Sequence, residues 1–216
     1  MSSPPRDGLP SFWCTTLARV LSGDQPCLTS AWLSGHLILQ KREREDQGSL
    51  ANWKANHTEL LQQYIAARRE EGCECDVERF FKVRGQTAIL SGKVDCIERA
   101  PDVRPLIVDA KTGTPRDSDV MQVLIEMVML PLAWNAPSMQ FDGRVVYRTH
   151  EVLVPHAKAE ELKPKVFRML KQLALSSKPT ASPSEQSCRF CDVPEDLCQD
   201  RWKALTDQLV AQTILF

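Results

Sequence analysis

Three strand-like runs follow one another between residues 77 and 110, with helix-like stretches on both sides. This order constrains the fold more than any other feature of the chain. Val77 to Arg84 is rich in Val and Phe, Thr87 to Glu98 alternates through Ile89 and Val94, and Arg104 to Ala110 holds the apolar run Leu106-Ile107-Val108. Alternation with period two marks a strand and a 3.6 period marks a helix. Upstream, the pattern predicts helices over Ser11 to Leu21, over Thr29 (as the cap) to about Arg44, and over Leu50 to Glu70. The last has Leu60, Leu61, Tyr64 and Ile65 on its apolar side and gives way at the segment EGCECD. Downstream it predicts a helix from Asp117 to Trp134, a strand pair from Val145 to Val154 opened by Asp142-Gly143, and a helix from Lys158 to Leu175. Ser176 to Ser187, rich in Ser and Pro, reads as a loop, and a Cys-rich knuckle with a helix from Gln199 to about Ile214 follows. A meander of strands enclosed by helices implies an α/β or α+β core, one mixed sheet with helices on its faces.

The chain has 216 residues, one domain or at most two small ones, and folding at this length hides roughly 70% of the unfolded surface. Apolar residues at 43% and charged residues at 25% exclude a disordered, collagen-like or coiled-coil protein. The longest apolar stretch, Val123 to Ala133, is broken by Glu126 and Pro131 and is too short to span a bilayer. The N-terminus lacks the basic-then-apolar pattern of a signal peptide, so the expected location is the cytoplasm, without membrane contact. A net charge of −1 does not announce a nucleic-acid binder, and any phosphate-binding surface must be local. Arg42 with Arg44, Arg68 with Arg69, and the run Lys163, Lys165, Arg168 and Lys171 are candidates that read first as solvated helix faces.

Two constellations carry chemistry. The first is Ser91-Gly92-Lys93-Val94-Asp95 followed by Leu106-Ile107-Val108-Asp109-Ala110-Lys111. On a strand, Asp109 and Lys111 point to the same side and Ala110 to the other. If the two strands are neighbours, Asp95 stands beside Asp109, and paired carboxylates hold a hard divalent cation such as magnesium or manganese. A lysine two residues on can contact a phosphate oxygen or orient a water. Together these residues are equipped for metal-assisted phosphodiester hydrolysis. An Asp-x-Lys alone is a weak signal. It is strengthened by the apolar run leading into Asp109, by the Gly-Lys-Val-Asp strand at hairpin separation, and by the long helix that follows with Gln122. His57, on the helix before the sheet, can bring an imidazole to the pair. Gln122 and Glu126 share one helix face and could steady the lysine, the metal or a nucleic-acid backbone, or could simply form a polar helix face.

The second constellation is cysteine. The chain has eight: Cys14, Cys27, Cys73, Cys75, Cys96, Cys188, Cys191 and Cys198. In a reducing compartment these point to metal or catalysis rather than disulfides. Three thiolates clustered at Cys188, Cys191 and Cys198 can cap one face of a metal centre, whose fourth ligand must come from afar. Cys27 is the best candidate and Cys73 or Cys75 the runner-up, while Cys14 and Cys96 read as small buried side chains. The spacing does not separate zinc from iron–sulfur.

The order distal Cys, helical His, G-x-x-D, D-x-K, Gln and three clustered Cys resembles that of the RecB-type PD-(D/E)xK nucleases carrying an iron–sulfur cluster. It is most similar to the compact CRISPR-associated four-cysteine nucleases, over residues 20 to 200 or so. The resemblance implies a single restriction-endonuclease-like domain over 1–216: an N-terminal helical segment over 20–70, a catalytic sheet core over 77–155, and a cysteine cluster with a helix over 188–216. It implies that Cys27, Cys188, Cys191 and Cys198 hold a 4Fe–4S cluster. His57, Asp95 and Asp109 would bind magnesium or manganese, Lys111 would be the catalytic lysine, and Gln122 the helix residue behind it. It further implies exonuclease action on DNA, single-stranded or with overhangs, and a role in CRISPR spacer processing beside integrase proteins. The alternatives are a phage or repair nuclease of the same fold, and a non-catalytic nucleic-acid- or protein-binding module with a structural zinc.

Overall fold

The computed structural model describes residues 6, 8–39, 47–189 and 191–202. The sheet has six strands: β1 (Ser11–Trp13), β2 (Glu74–Arg84), β3 (Ile89–Arg99), β4 (Leu106–Lys111), β5 (Asp142–Tyr147) and β6 (Glu151–Val154). The expected meander is present, since β2 pairs antiparallel with β3 along its length and β3 pairs antiparallel with β4. The chain then crosses through α4 (Asp117–Ala133) to make β5 parallel to β4, and β6 returns antiparallel to β5. The result is a mixed sheet flanked by helices, an α/β fold.

One face of the sheet packs on α1 (Cys14–Ser22), α2 (Leu28–His36), α4 and α5 (His156–Leu173) in the main core, which contains Leu17, Ala31, Ile107, Ile125, Val145 and Val166. The other face packs on α3 (Gln47–Glu70), whose Leu60, Leu61, Tyr64 and Ile65 meet Cys96, Val108, Ala110 and Val146. The apolar side of α3 read from its period is thus the side it buries. α4 runs through the middle of the protein and is buried continuously from Gln122 to Pro131. Its start is fixed by Asp119, which accepts from the Arg116 N–H at 3.0 Å, and its first turn carries Asp117 and Asp119 where the helix dipole favours negative charge.

Several expectations need correction. Ser11 to Leu21 is not one helix. Ser11–Trp13 is a strand parallel to β3, and the helix begins at Cys14. Three residues are too few to show alternation, and their partners lie far along the chain. Thr29 does not cap α2, which starts after Cys27. Thr29 lies inside the helix, and its hydroxyl donates to the Pro179 carbonyl at 2.8 Å. That helix ends at His36 rather than near Arg44, because Leu37 has extended backbone. β2 starts at Glu74, so the second half of the EGCECD segment is strand. The sheet therefore spans 74–154 plus β1, rather than 77–155 alone. The loop over Ser176 to Ser187 runs into a short helix, α6 (Glu185–Arg189), and a 3-10 turn follows at Glu195–Leu197. Arg42, Arg44 and most of the expected terminal helix lie outside the described residues. Among the described residues no helix is long and apolar enough to cross a membrane.

The edge of β3 opposite β2 is shared. β1 takes positions Ile89 to Ser91, and β4 takes Cys96 to Glu98. Between them the sheet forks, and Gly92 to Asp95 face the gap. At the fork the alternation of β3 slips. Leu90, Val94 and Ile97 all belong to the main core while Cys96 packs under α3, although strict alternation would put residues 94 and 97 on opposite faces. Opposite Asp95 on β2, Glu78 has φ 53°, a left-handed backbone that costs a non-glycine residue on the order of 1 kcal/mol or more. The strain and the slipped alternation coincide at Asp95. Gly92 is required there for a separate reason: a Cβ would come within 2.5 Å of the Phe81 ring and 3.0 Å of the Cys14 Cβ.

Candidate functional site

The fork collects five polar side chains from four elements. Asp95 comes from β3, Asp109 and Lys111 from β4, Gln122 from α4, and His57 from α3 on the other side of the sheet. His57 Nε2 lies 3.1 Å from Asp95 Oδ2, and the same oxygen accepts from the Ala110 N–H at 2.9 Å. Asp95 thus takes a backbone donor that the parted strand edge leaves without a strand partner. Lys111 Nζ is 2.6 Å from Asp109 Oδ2 and donates to Gln122 Oε1 at 3.2 Å. The Gln122 amide donates to Asp109 Oδ1 at 2.8 Å and to Glu126 Oε1 at 3.0 Å. Gln122 therefore fixes the lysine and the carboxylate together, as a single helix residue behind the strand could.

Burial is uneven across this group. Asp109 is 1% exposed and Glu126 not at all, whereas the side chains of His57 and Lys111 keep 21% and 25% exposure. The site therefore opens to solvent at the imidazole and the ammonium and closes over the carboxylates. Burial, with the Asp95 charge adding to it, pushes the Asp109 carboxyl up to about 7 against the pull of Lys111. Burial also drives Glu126 well above the ordinary carboxylate range, reinforced by the charge of Asp109, and its Oε2 is buried without a hydrogen-bond partner. The His57 imidazole is raised, chiefly by its bond to Asp95. The Lys111 ammonium is held charged: its carboxylate neighbours, Asp109 first, outweigh the cost of burial. Burial pushes up the Cys14 thiol, which lies 3.8 Å from the Gln122 carbonyl oxygen and acts as a small apolar group behind the site.

The structure thus brings together all five residues singled out around the carboxylates. It corrects one alternative, since Glu126 is not on an exposed polar face but at the bottom of the network. Nothing in the sequence distinguished that, because i, i+4 spacing shows a shared face but not which way it points.

The cysteine constellation also converges. Cys27, Cys188, Cys191 and Cys198 line one cavity together with Ser30, Ser187 and Arg201. After burial, the nearby sulfurs of Cys191 and Cys27 push the Cys198 thiol up further. The Trp202 N–H donates to Cys188 Sγ at 3.3 Å, Ser30 Oγ lies 3.3 Å from Cys191 Sγ, and the Arg201 guanidinium donates to the carbonyls of Cys188 (3.1 Å) and Val193. Gln25 and Thr29 tie the same chain ends together through the carbonyls of Ser187 and Pro179. Cys73, Cys75 and Cys96 lie elsewhere, between α3 and the sheet, and Cys14 and Cys96 are buried as expected.

Four thiols around one cavity, with the Trp202 N–H donating to Cys188 Sγ, fit an iron–sulfur or zinc centre by donor chemistry. The imidazole and two carboxylates at the fork fit a divalent cation in the same sense. As the side chains stand, however, no three His, Cys, Asp or Glu among the described residues close on one ion. At the fork the reason is visible, since His57 Nε2 and Asp95 Oδ2 are engaged with each other and the Asp109 oxygens with Lys111 and Gln122.

No protein-family model matches the chain, and no curated protein matches it. Among solved structures, the crystal structure of SSO0001 is similar to 92% of this chain over 90% of its own length, at 13% sequence identity and a TM-score of 0.44. That likeness is too distant to carry an argument about either site.

Proposed function

We propose that the chain is a metal-dependent DNA exonuclease with a PD-(D/E)xK core and an iron–sulfur cluster at Cys27, Cys188, Cys191 and Cys198. The observation that carries this reading is the fork. Four separate elements deliver His57, Asp95, Asp109, Lys111 and Gln122 to this place in two hydrogen-bonded groups, His57 with Asp95 and Asp109 with Lys111 and Gln122, joined through the Ala110 backbone and beside a strained Glu78. Strained backbone and perturbed carboxylates collect at functional sites.

His57, Asp95 and Asp109 would hold magnesium or manganese, which when bound supplies a hydroxide nucleophile and neutralises charge on the phosphate. Asp109 must be ionised for this, and the Lys111 ammonium 2.6 Å away favours the ionised form. Lys111 is partly exposed and stays charged, so it can approach a phosphate oxygen while Gln122 limits its swing. Gln122 also holds Asp109 in place through its amide. The cysteine centre lies at the joined chain ends, and its role is to close the long loop between Cys27 and Cys188. A place in CRISPR spacer processing beside integrase proteins belongs to this proposal through the resemblance alone.

Digestion of single-stranded DNA with manganese, against an EDTA control, tests the chemistry. Asp109→Ala should lower cleavage by roughly a thousandfold or more, because the cation and its hydroxide are lost together, while its circular dichroism matches wild type. Wild-type activity in that variant removes the mechanism. Cys191→Ala should bleach the brown colour of an iron–sulfur protein and lower its melting temperature. One equivalent of zinc and no iron in the purified wild type would favour a structural zinc instead.

A further inference from the structure

α3 covers only part of its face of the sheet. Its apolar residues lie over Cys96, Val108, Ala110 and Val146. On the same face, the half of the sheet built by β1, β2 and the start of β3 presents Trp13 and Phe80 to solvent, 45% and 59% exposed, with ring centroids 6.1 Å apart. Phe12 and Phe81 point into the main core, so their neighbours Trp13 and Phe80 lie on the opposite side. Gly92 backs onto Phe81, which sets Lys93 on the aromatic side as well. Cross-strand register then arranges two rows. Trp13 stands opposite Ser91, which stands opposite Lys82, and Phe80 stands opposite Lys93. Exposed aromatic rings alternate here with exposed lysines. Lys93 bonds Glu78 at 2.8 Å, but both side chains are solvated, so a phosphate can replace that partner.

This surface leads to the fork. Lys93 is two residues from Asp95 on β3 and Ser91 is four, about 7 and 13 Å along the strand. One turn before His57 on α3, Trp53 is 52% exposed and its ring lies 5.5 Å from that of His57 at an interplanar angle of 31°.

We propose that Trp13 and Phe80, with Lys82 and Lys93, form a stacking platform for single-stranded nucleic acid, which it feeds to the fork. The direction of feeding rests on the nuclease reading, but the binding does not. Exposed aromatic rings can stack on unpaired bases, whose π-faces a duplex hides, and interleaved lysines suit the phosphates. A protein partner fits this surface less well, since the centres of protein interfaces are depleted of lysine.

The test is fluorescence anisotropy of a labelled mixed-sequence oligonucleotide in EDTA, where no cleavage occurs, with the duplex of the same sequence as a second probe. Trp13→Ala and Phe80→Ala should each weaken single-strand binding by at least about fivefold and leave duplex binding unchanged, whereas Trp13→Phe and Phe80→Trp should stay close to wild type. A ribose version of the oligonucleotide separates RNA from DNA as the bound strand, and binding of either supports the platform. Wild-type affinity in both alanine variants overturns it. So does equal loss in the aromatic-to-aromatic variants, or a wild type that binds no single strand. Aromatic-dependent binding without cleavage in manganese would keep the platform and remove the nuclease reading. Cleavage with unaltered binding in the alanine variants would do the reverse.

Discussion

Asp95 and Glu98 are three residues apart on one strand, yet the polar networks they belong to are built on opposite terms. Glu98 is 2% exposed and fully partnered, taking the Tyr64 hydroxyl on one oxygen and the Arg68 guanidinium, at 3.1 Å, on the other. Arg144 closes the group by donating to the Tyr64 hydroxyl at 3.0 Å, with its guanidinium 5.8 Å from the ring centre. Burial alone would raise the Glu98 carboxyl, but Tyr64 and Arg68 outweigh it and hold the group below the ordinary range. At the fork the balance is reversed. Three buried carboxyls share one ammonium, Asp109 and Glu126 are pushed up, and a Glu126 oxygen has no partner. Arg68 Nε and Arg144 Nε are also buried without a partner, so the contrast lies in charge: the Glu98 carboxylate has its donors and its counter-charge, whereas carboxyls left short of positive charge are suited to receive it. The Glu98 group holds α3 on the sheet, and the fork is where the proposed cation would bind.

Exchanging the damage between the two networks gives the largest expected effect. Asp95→Ala should remove DNA cleavage, by roughly a thousandfold or more if the metal is lost, and change the melting temperature little, because it relieves charge crowding while losing the bonds to Ala110 and His57. Glu98→Ala should do the opposite. It leaves the Tyr64 hydroxyl without its acceptor and Arg68 with only the exposed Glu71 as counter-charge, a loss of about 3 kcal/mol by analogy with broken buried pairs, while activity per folded molecule persists. Urea unfolding beside a single-stranded DNA assay reads both. If the two variants lose activity alike and stability alike, the networks are not distinct in kind.

The meander of β2, β3 and β4, the apolar side of α3 and the placing of Asp95 beside Asp109 were legible because each follows from a local period and from strands close in sequence. β1 was not, because a parallel partner such as Ser11–Trp13 against Ile89 to Ser91 gives no local signal. The fork follows from that omission, since it exists only because β1 and β4 divide one edge of β3. The slip at Asp95 and the left-handed Glu78 were equally hidden, as no glycine or proline marks them. The convergence of Cys27 with Cys188, Cys191 and Cys198 was readable from donor counting, but the part played by Ser30, Arg201 and the Trp202 N–H was not. Depth was the other failure. Gln122 and Glu126 share a helix face in the sequence, and only packing shows that face turned inward.

The smaller effect is the pH dependence of stability in the metal-free protein, where the two networks should pull in opposite directions. Asp109 has an ordinary value of 3.8 and sits near 7 when folded. Between these the folded state holds more protons than the unfolded chain, so stability falls as pH rises through that window. Glu126, raised by burial, acts in the same sense. His57 is raised above 6.5, and its contribution is present at lower pH and fades as pH climbs through its folded value. Glu98 is lowered below 4.5, so its contribution is present above that value and is lost as pH drops through its folded value. Thermal unfolding in EDTA should therefore show a maximum on the acid side of neutrality, with the alkaline decline set by the fork and the acid decline by the Glu98 group. Asp109→Asn should flatten the alkaline limb alone, and Glu98→Gln the acid limb alone. Added manganese should also flatten the alkaline limb, because a cation bound to the ionised carboxylates stabilises the form that rising pH produces. An alkaline limb that neither Asp109→Asn nor manganese alters would mean that the crowding of carboxyls at the fork does not govern the folded state.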